Sequence, residues 1–252
     1  MRGIALVFAL VLLVPARAAV AQQGEQVADP GDDPPPIASR PTSGEASLHS
    51  GRTLGIGETM IAGAAGWPGI WVLVEHAISS SFNLGIRAGL TYGSLMALAP
   101  GVGGELGIPM RIHLFGEGAI DLAAYVEPAF SIAEGASVGE FGTVYSGDLG
   151  WSGRLELGGL LGVHVSEGLT LLVGLGGIIG HVHVPAAGDP TIVGAILGKL
   201  GIEGLISRDT MLFAVAEGGI GFADDRGAAV NVFDVGLASA VLRLSFGIAY
   251  LL

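Results

Sequence analysis

The stretch "GELGIPMRIHLFGEG", residues 104 to 118, sets Glu105, Gly107, Pro109, Arg111 and His113 on alternate positions, with Leu106, Ile108, Met110, Ile112 and Leu114 between them. Side chains on a strand point alternately to its two faces, so this period of two makes one apolar face and one face that carries the charge. The two faces require different solvents. A strand with one side in lipid and the other in an enclosed interior meets both requirements.

The same alternation recurs along the chain in segments of roughly ten residues, the length a tilted strand needs to cross the hydrocarbon layer of a bilayer. In "FNLGIRAGLTY" (82–92), Phe82, Leu84, Ile86, Ala88, Leu90 and Tyr92 lie opposite Asn83, Gly85, Arg87, Gly89 and Thr91. "IDLAAYVEPAFSI" (120–132) and "LELGGLLGVHV" (155–165) sort Asp121, Tyr125, Glu127, Glu156 and His164 onto one face in the same way. In "TIVGAILGKLGIEGLI" (191–206) Lys199 and Glu203 share the odd face, and at the C-terminal end Arg243 and Ser245 alternate with Leu242, Leu244, Phe246, Ile248, Tyr250 and Leu252. Segments at 53–65, 69–78, 169–184 and 211–222 alternate less cleanly. In 169–184, Leu171-Leu172 and Ile178-Ile179 break the pattern, which calls for a bulge or a small, tightly filled interior.

These segments predict an all-β transmembrane antiparallel up-and-down β-barrel of about ten strands, with eight as the alternative. Tight connections at Ser79–Ser81, Phe115–Gly118, Ser166–Gly168 and Ser207–Thr210 alternate with longer ones, notably Ala133 to Trp151 and Ala223 to Asn231. Short turns on the periplasmic side and longer loops outside would orient the chain with both ends of the barrel in the periplasm. Aromatic side chains favour the boundary between lipid and water. Phe82, Phe115, Phe213 and Tyr250 fall near one rim, and Trp67, Tyr92, Phe130 and Phe222 near the other. Pro109 and Pro128 each remove a ladder donor inside a strand and are expected at bulges.

Composition agrees. Of 252 residues 50% are hydrophobic and 13% charged, and the 44 glycines would penalise a helical membrane protein heavily. Residues 1–21 read as a secretory signal peptide: Arg2, an apolar core from Ile4 to Val14, and Ala19-Val20-Ala21 before Gln22. Residues 22–52, rich in Pro, Gly, Asp and Ser, read as a disordered periplasmic tether, leaving 53–252 as the barrel. No cysteine is available for a disulfide or a lipid anchor. Losing Arg2 and Arg17 with the signal leaves nine basic against 23 acidic residues, a net charge of −14 that argues against nucleic acid as a partner.

The signal, the amphipathic strands, the alternating turn lengths and the C-terminal "LRLSFGIAYLL" together resemble the small bacterial outer-membrane β-barrel proteins over roughly residues 53 to 252. The resemblance implies a Gram-negative outer membrane, contact with its lipid, and assembly by the barrel-assembly machinery through the C-terminal strand. Members commonly end in an aromatic residue, whereas this chain ends in Leu252 with Tyr250 two positions earlier.

An outward charge at mid-bilayer costs roughly 2 to 4 kcal/mol for Arg or Lys, so parity places the charges inside. They are Glu75, Arg87, Glu105, Arg111, His113, Asp121, Glu127, Glu156, His164, Lys199, Glu203, Glu217 and Arg243, with seven carboxylates against four Arg or Lys. This set reads as an ion-pair and hydrogen-bond network filling a narrow barrel or, alternatively, as the lining of a cation-favouring channel or small-solute porin. Inward glycines such as Gly85, Gly89, Gly103, Gly107, Gly158 and Gly162 either widen the bore or make room for large neighbours such as Tyr125 and Trp71.

His181 and His183 in "HVHV" point the same way on a strand and are weak candidates for a metal pair, lacking a nearby third ligand. Asp224 and Asp225 could supply one or form an acid–base pair, as in ten-stranded outer-membrane proteases, but the paired-Asp and Asp-x-His pattern of those enzymes is not reproduced. "GLGG" at 174–177 is followed by no Lys-Ser or Lys-Thr, and no G-x-S-x-G elbow is present. The expectation is a non-enzymatic barrel without a cofactor, serving a structural, adhesive or envelope-interaction role. A channel is the alternative and an outer-membrane hydrolase is less favoured. Oligomeric state is not legible.

Overall fold

A computed structural model describes residues 47–92, 102–138, 144–183, 191–223 and 238–252. Eleven strands form one antiparallel sheet: β1 (Thr59–Trp67), β2 (Gly69–Ser79), β3 (Phe82–Thr91), β4 (Gly103–Gly107), β5 (Met110–Glu117), β6 (Ile120–Val138), β7 (Val144–Ser166), β8 (Leu169–His183), β9 (Thr191–Leu205), β10 (Thr210–Ala223) and β11 (Ala238–Leu251). Each pairs with its chain neighbours, β4 and β5 share one span, and β1 pairs with β11, so ten spans close into a barrel without an edge. Closure is what lipid demands, because hydrocarbon offers no partner to a loose backbone N–H.

The break between β4 and β5 lies at Ile108-Pro109. No bulge accompanies it: Arg87 faces Gly107 before the break and Leu84 faces Met110 after it, in unchanged register. Both prolines still accept, Pro109 from Gly85 N–H at 2.8 Å and Pro128 from Ile108 N–H at 2.9 Å. Pro128 likewise lies opposite Leu155 in an unshifted ladder. The expected bulges are therefore absent, because each proline loses one donor and keeps its acceptor. A bulge does occur between His113 and Phe115, and it turns both Leu114 and Phe115 outward.

Strand boundaries differ from the sequence reading most at two places, and β5 also runs on to Glu117 through most of the turn expected at Phe115–Gly118. The first strand begins at Thr59, not Thr53, because Leu54 is drawn into the lumen with 1% of its surface exposed and the chain turns at Gly57 with φ +81°. Of the connection from Ala133 to Trp151, residues 134–138 and 144–150 are strand, not loop. They prolong the β6–β7 hairpin, with Glu134 opposite Leu149 and Val138 opposite Val144, beyond the points where β4 and β8 pair with it. The four tight connections expected from the sequence lie at the opposite end, called here the turn end, whereas the one-residue link at Pro68 between β1 and β2 lies at the loop end. Gly118 there adopts φ +58° in the two-residue link from β5 to β6, a conformation glycine takes without steric cost. The connection 224–231, Asp224, Asp225 and the side chain of Phe222 lie outside the described residues, as do residues 1–46.

The outer face is apolar. Leu106, Leu157, Leu175, Ile196, Leu200, Ile220 and Phe246 all expose their side chains there. Rings cluster at the loop end, where Trp67 meets Tyr92 edge-on at 6.0 Å and Phe130 stacks on Trp151 at 6.3 Å. Phe115 and Tyr250 are exposed at the turn end. Phe213 does not join them. It faces the lumen, 4% exposed and stacked on Trp71 at 5.8 Å, because its odd position in β10 shares the face of Glu217. Strand β8 carries no register break at Leu171-Leu172 or Ile178-Ile179, and it is the tightly filled interior that explains them. Leu172 and Ile178 are buried inside, with Leu171 and Ile179 outside.

Candidate functional site

The enclosed interior is the site that the fold builds. Following opposed pairs once round the wall, from Met60 through Glu75, Gly85, Glu127, Glu156, Ile178, Ala195, Gly221 and Ser239, and extending the β11–β1 register, returns to β1 about twelve residues along. Ten strands tilted by about 40° at ~4.8 Å spacing give a wall radius of about 10 Å. Long side chains from opposite walls meet across such a space.

At mid-height they meet as ion pairs. Arg87 reaches Glu105 at 2.7 Å and Glu127 at 2.5 Å. Arg154 holds Glu105 through both terminal nitrogens. Arg243 bridges Glu156 at 3.0 Å and Glu217 at 2.8 Å, and Lys199 reaches Glu217 at 2.8 Å. Lys199 also lies 4.8 Å from the centre of the Tyr125 ring, whose hydroxyl donates to Glu156. Four cations thus face four carboxylates in a layer with no net charge. Arg154 is missing from the inward set of the sequence reading, although it is two positions before Glu156 on one strand and its parity alone places it inside.

Glycine answers the question of bore. A Cβ on Gly176 would lie 2.3 Å from the Tyr125 hydroxyl, one on Gly158 2.8 Å from the same ring, and one on Gly107 2.5 Å from Glu127 Oε1. These glycines make room for the large polar side chains and do not widen a channel. Above the layer, toward the loop end, Ile178, Ala195, Leu197 and Val241 form a buried apolar cluster.

Below it, toward the turn end, the chain's own Ser47–Arg52 occupies the lumen. The tether of the sequence reading therefore stops short of Arg52, because polar composition suits a polar interior as well as it suits water. Ser47 and Ser50 are 1% and 0% exposed, and Leu48 joins Leu54, Met60, Leu172 and Phe213 in an apolar cluster. Glu203 accepts from the Ser47 hydroxyl and from the backbone N–H of Leu48 and His49 at 3.1 and 2.7 Å. Asp121 accepts from Gly51 N–H and the Ser50 hydroxyl, and pairs with Arg52 at 3.6 Å and with His164, whose Nδ1 meets the Thr170 hydroxyl at 2.8 Å. Arg111 donates to Ser50 O at 3.1 Å and to Glu75 at 2.7 Å, Asn83 donates to Glu75 at 2.6 Å, and His113 Nδ1 lies 2.5 Å from Gly51 O.

All thirteen inward candidates lie in these two layers. Arg154 and Arg52 raise the cations to six against seven carboxylates. Of the seven lumen carboxylates, only Glu203 makes no ion pair among the described residues, and the segment's donors take that place. His49 packs edge-on against Phe213 at 5.0 Å. Burial, with the charges of Lys199, Arg111 and Arg87, holds its imidazole well below the ordinary histidine range.

His181 and His183 are elsewhere. Their odd positions in β8 place them on the outer side near the loop end, against Trp151, with ring centres 4.8 and 5.6 Å away. Among the described residues no group of three His, Asp or Glu is placed to hold a metal.

No family model matches the sequence, and a search of curated proteins finds no relative. Among solved structures the chain is similar to OmpT (in-vitro folded), an outer membrane protein of Vibrio cholerae, at 12% identity and a TM-score of 0.29, over 77% of this chain and 61% of that one. The chain therefore spans less than two thirds of that protein's length. The closed antiparallel wall of ten spans, with its apolar exterior and polar interior, fits an outer-membrane β-barrel.

Proposed function

We propose that this protein is a closed barrel of the Gram-negative outer membrane, exported by its N-terminal signal, and that it serves a structural, adhesive or envelope-interaction role at its loop end without catalysis. One observation carries the reading: the neutral layer built on Arg87, Arg154, Arg243 and Lys199 spans the lumen, and Ser47–Arg52 fills the space beneath it. Small barrels filled by their own side chains are rigid supports for what projects from them. The prolonged β6–β7 hairpin supports a role at the loop end, since it extends past the strands on either side. Catalysis would need carboxylates free to exchange protons with a substrate, and those of the mid-height layer are occupied by arginine or lysine.

Single-channel recording in planar bilayers tests this reading. The full mature chain is expected to give no conductance steps at neutral pH in moderate salt. Regular, cation-selective steps would replace the closed barrel with a narrow channel.

A further inference from the structure

The segment in the lumen is held in an unusual way. It belongs to no strand, and most of its bonds to the wall run from side chains to its backbone and hydroxyls. Glu203 makes no ion pair with a wall cation among the described residues and uses both oxygens on Ser47, Leu48 and His49. A buried carboxylate without a partner costs several kcal/mol, so this wall is complementary to a chain that brings N–H and hydroxyl donors. The fit is also steric. A Cβ on Gly51 would lie 2.3 Å from the Leu122 backbone nitrogen and 2.6 Å from Asp121 Oδ1, so that position admits only glycine. On the wall, a Cβ on Gly162 would come within 2.5 Å of Ser50 Cβ.

We propose that the turn end of the lumen is a peptide-binding site for a bent segment of the form Ser-x-x-Ser-Gly, in which Ser50 N–H donates to the Ser47 hydroxyl at 2.8 Å, here filled by the chain's own Ser47–Gly51, and that the same sequence supplied as a separate peptide can take its place. Glu203 reads three donors at the first end of the motif, Asp121 reads Ser50 and Gly51, and Arg111 and His113 fix the carbonyls of Ser50 and Gly51. The inference deepens the closed-lumen reading by naming what the lower half of the lumen recognises, and it concerns exchange, not conductance.

The test uses the full mature chain carrying Gly51→Ala, whose own segment can no longer seat, and a fluorescent peptide covering residues 45–54. The peptide is expected to bind this variant with a rise in anisotropy, to bind the unaltered chain at least about tenfold more weakly because the tethered copy competes at high effective concentration, and to lose binding when Gly51 in the peptide is replaced by Ala. No binding to a Gly51→Ala chain that still runs as a folded, heat-modifiable band would overturn the proposal.

Should Gly51→Ala fail to fold, Ser50→Cys in the otherwise cysteine-free chain replaces it. Excess unlabelled peptide is expected to speed modification of this buried thiol by a charged maleimide at least about tenfold. An unchanged rate would make the segment a fixed part of the core and overturn exchange. Conductance of the unaltered chain, by contrast, would overturn only the closed-barrel reading.

Discussion

Among the described residues Arg243 is the one cation in ion-pair contact with Glu156. In Arg243→Met, which keeps much of the length and removes the charge, Glu217 retains Lys199 at 2.8 Å, whereas Glu156 keeps only the Tyr125 hydroxyl at 3.3 Å. Removing one member of a buried ion pair costs ~3–5 kcal/mol, because the other charge stays out of water. The carboxyl has one escape, uptake of a proton, which costs about 1.4 kcal/mol for each pH unit above the ordinary glutamic value near 4.3. That amounts to about 4 kcal/mol at pH 7.5 and about 1 kcal/mol at pH 5. The penalty is therefore expected to shrink by about 3 kcal/mol on acidification, since the folded variant then binds the proton at little cost. Equilibrium urea titration of protein refolded into vesicles, followed by tryptophan fluorescence and by mobility on unboiled gels, measures it. Adding Glu156→Gln should abolish the pH dependence, because an amide needs no proton. A penalty below about 1 kcal/mol at pH 7.5, the range of an exposed pair, or one equal at both pH values, would show that the layer is hydrated.

Two adjacent glycines should respond with opposite sign: Gly176→Ala drives a methyl into the Tyr125 hydroxyl and should cost about 1–3 kcal/mol. Gly177→Ala meets nothing closer than Ala195 O at 3.5 Å and should be neutral or gain up to about 1 kcal/mol in the same titration. Leu175, 67% exposed at the middle of β8, should lose about 2–4 kcal/mol in vesicles on replacement by Arg, and an unchanged midpoint would exclude lipid contact there. His49 is held neutral in the folded state, so the stability of the seated segment is complete above about pH 6.5 and declines as pH falls below it. Proteolysis within residues 47–54 should be faster at about pH 5 than at pH 7.5, and His49→Phe should remove the difference despite the neighbouring Glu203 and Asp121.

The fold was legible because a period of two survives any ambiguity about strand ends. Glu105, Arg111 and Glu127 declare a face wherever their strands begin. Arg154 lies one residue before the clean apolar alternation of β7, which starts at Leu155, and the parity it shares with Glu156 is what places it inside. Phe213 was misplaced for a different reason. Aromatic type suggests a rim, but parity decides the face, and in β10 the two disagree. The lumen segment could not be read at all: "SLHSGR" has the composition of a linker, and what orders it are carboxylates on β6 and β9, distant in sequence and close only after the wall curves. Pro109 and Pro128 looked more damaging than they are, because sequence shows a missing donor and conceals the acceptor that still works.

The seam between β1 and β11 fixes an order of events. Met60 pairs with Leu251, so the wall cannot close until the last strand is in hand, and contacts between such remote positions form slowly. Ser47 and Glu203 are 156 positions apart, and the other anchors of the segment lie on β5 and β6, so a half-curved sheet presents no complete cradle. Seating of the segment is therefore expected to follow the curving of the wall that brings β9 opposite β5 and β6, so that it acts as a latch on a sheet already rolled up.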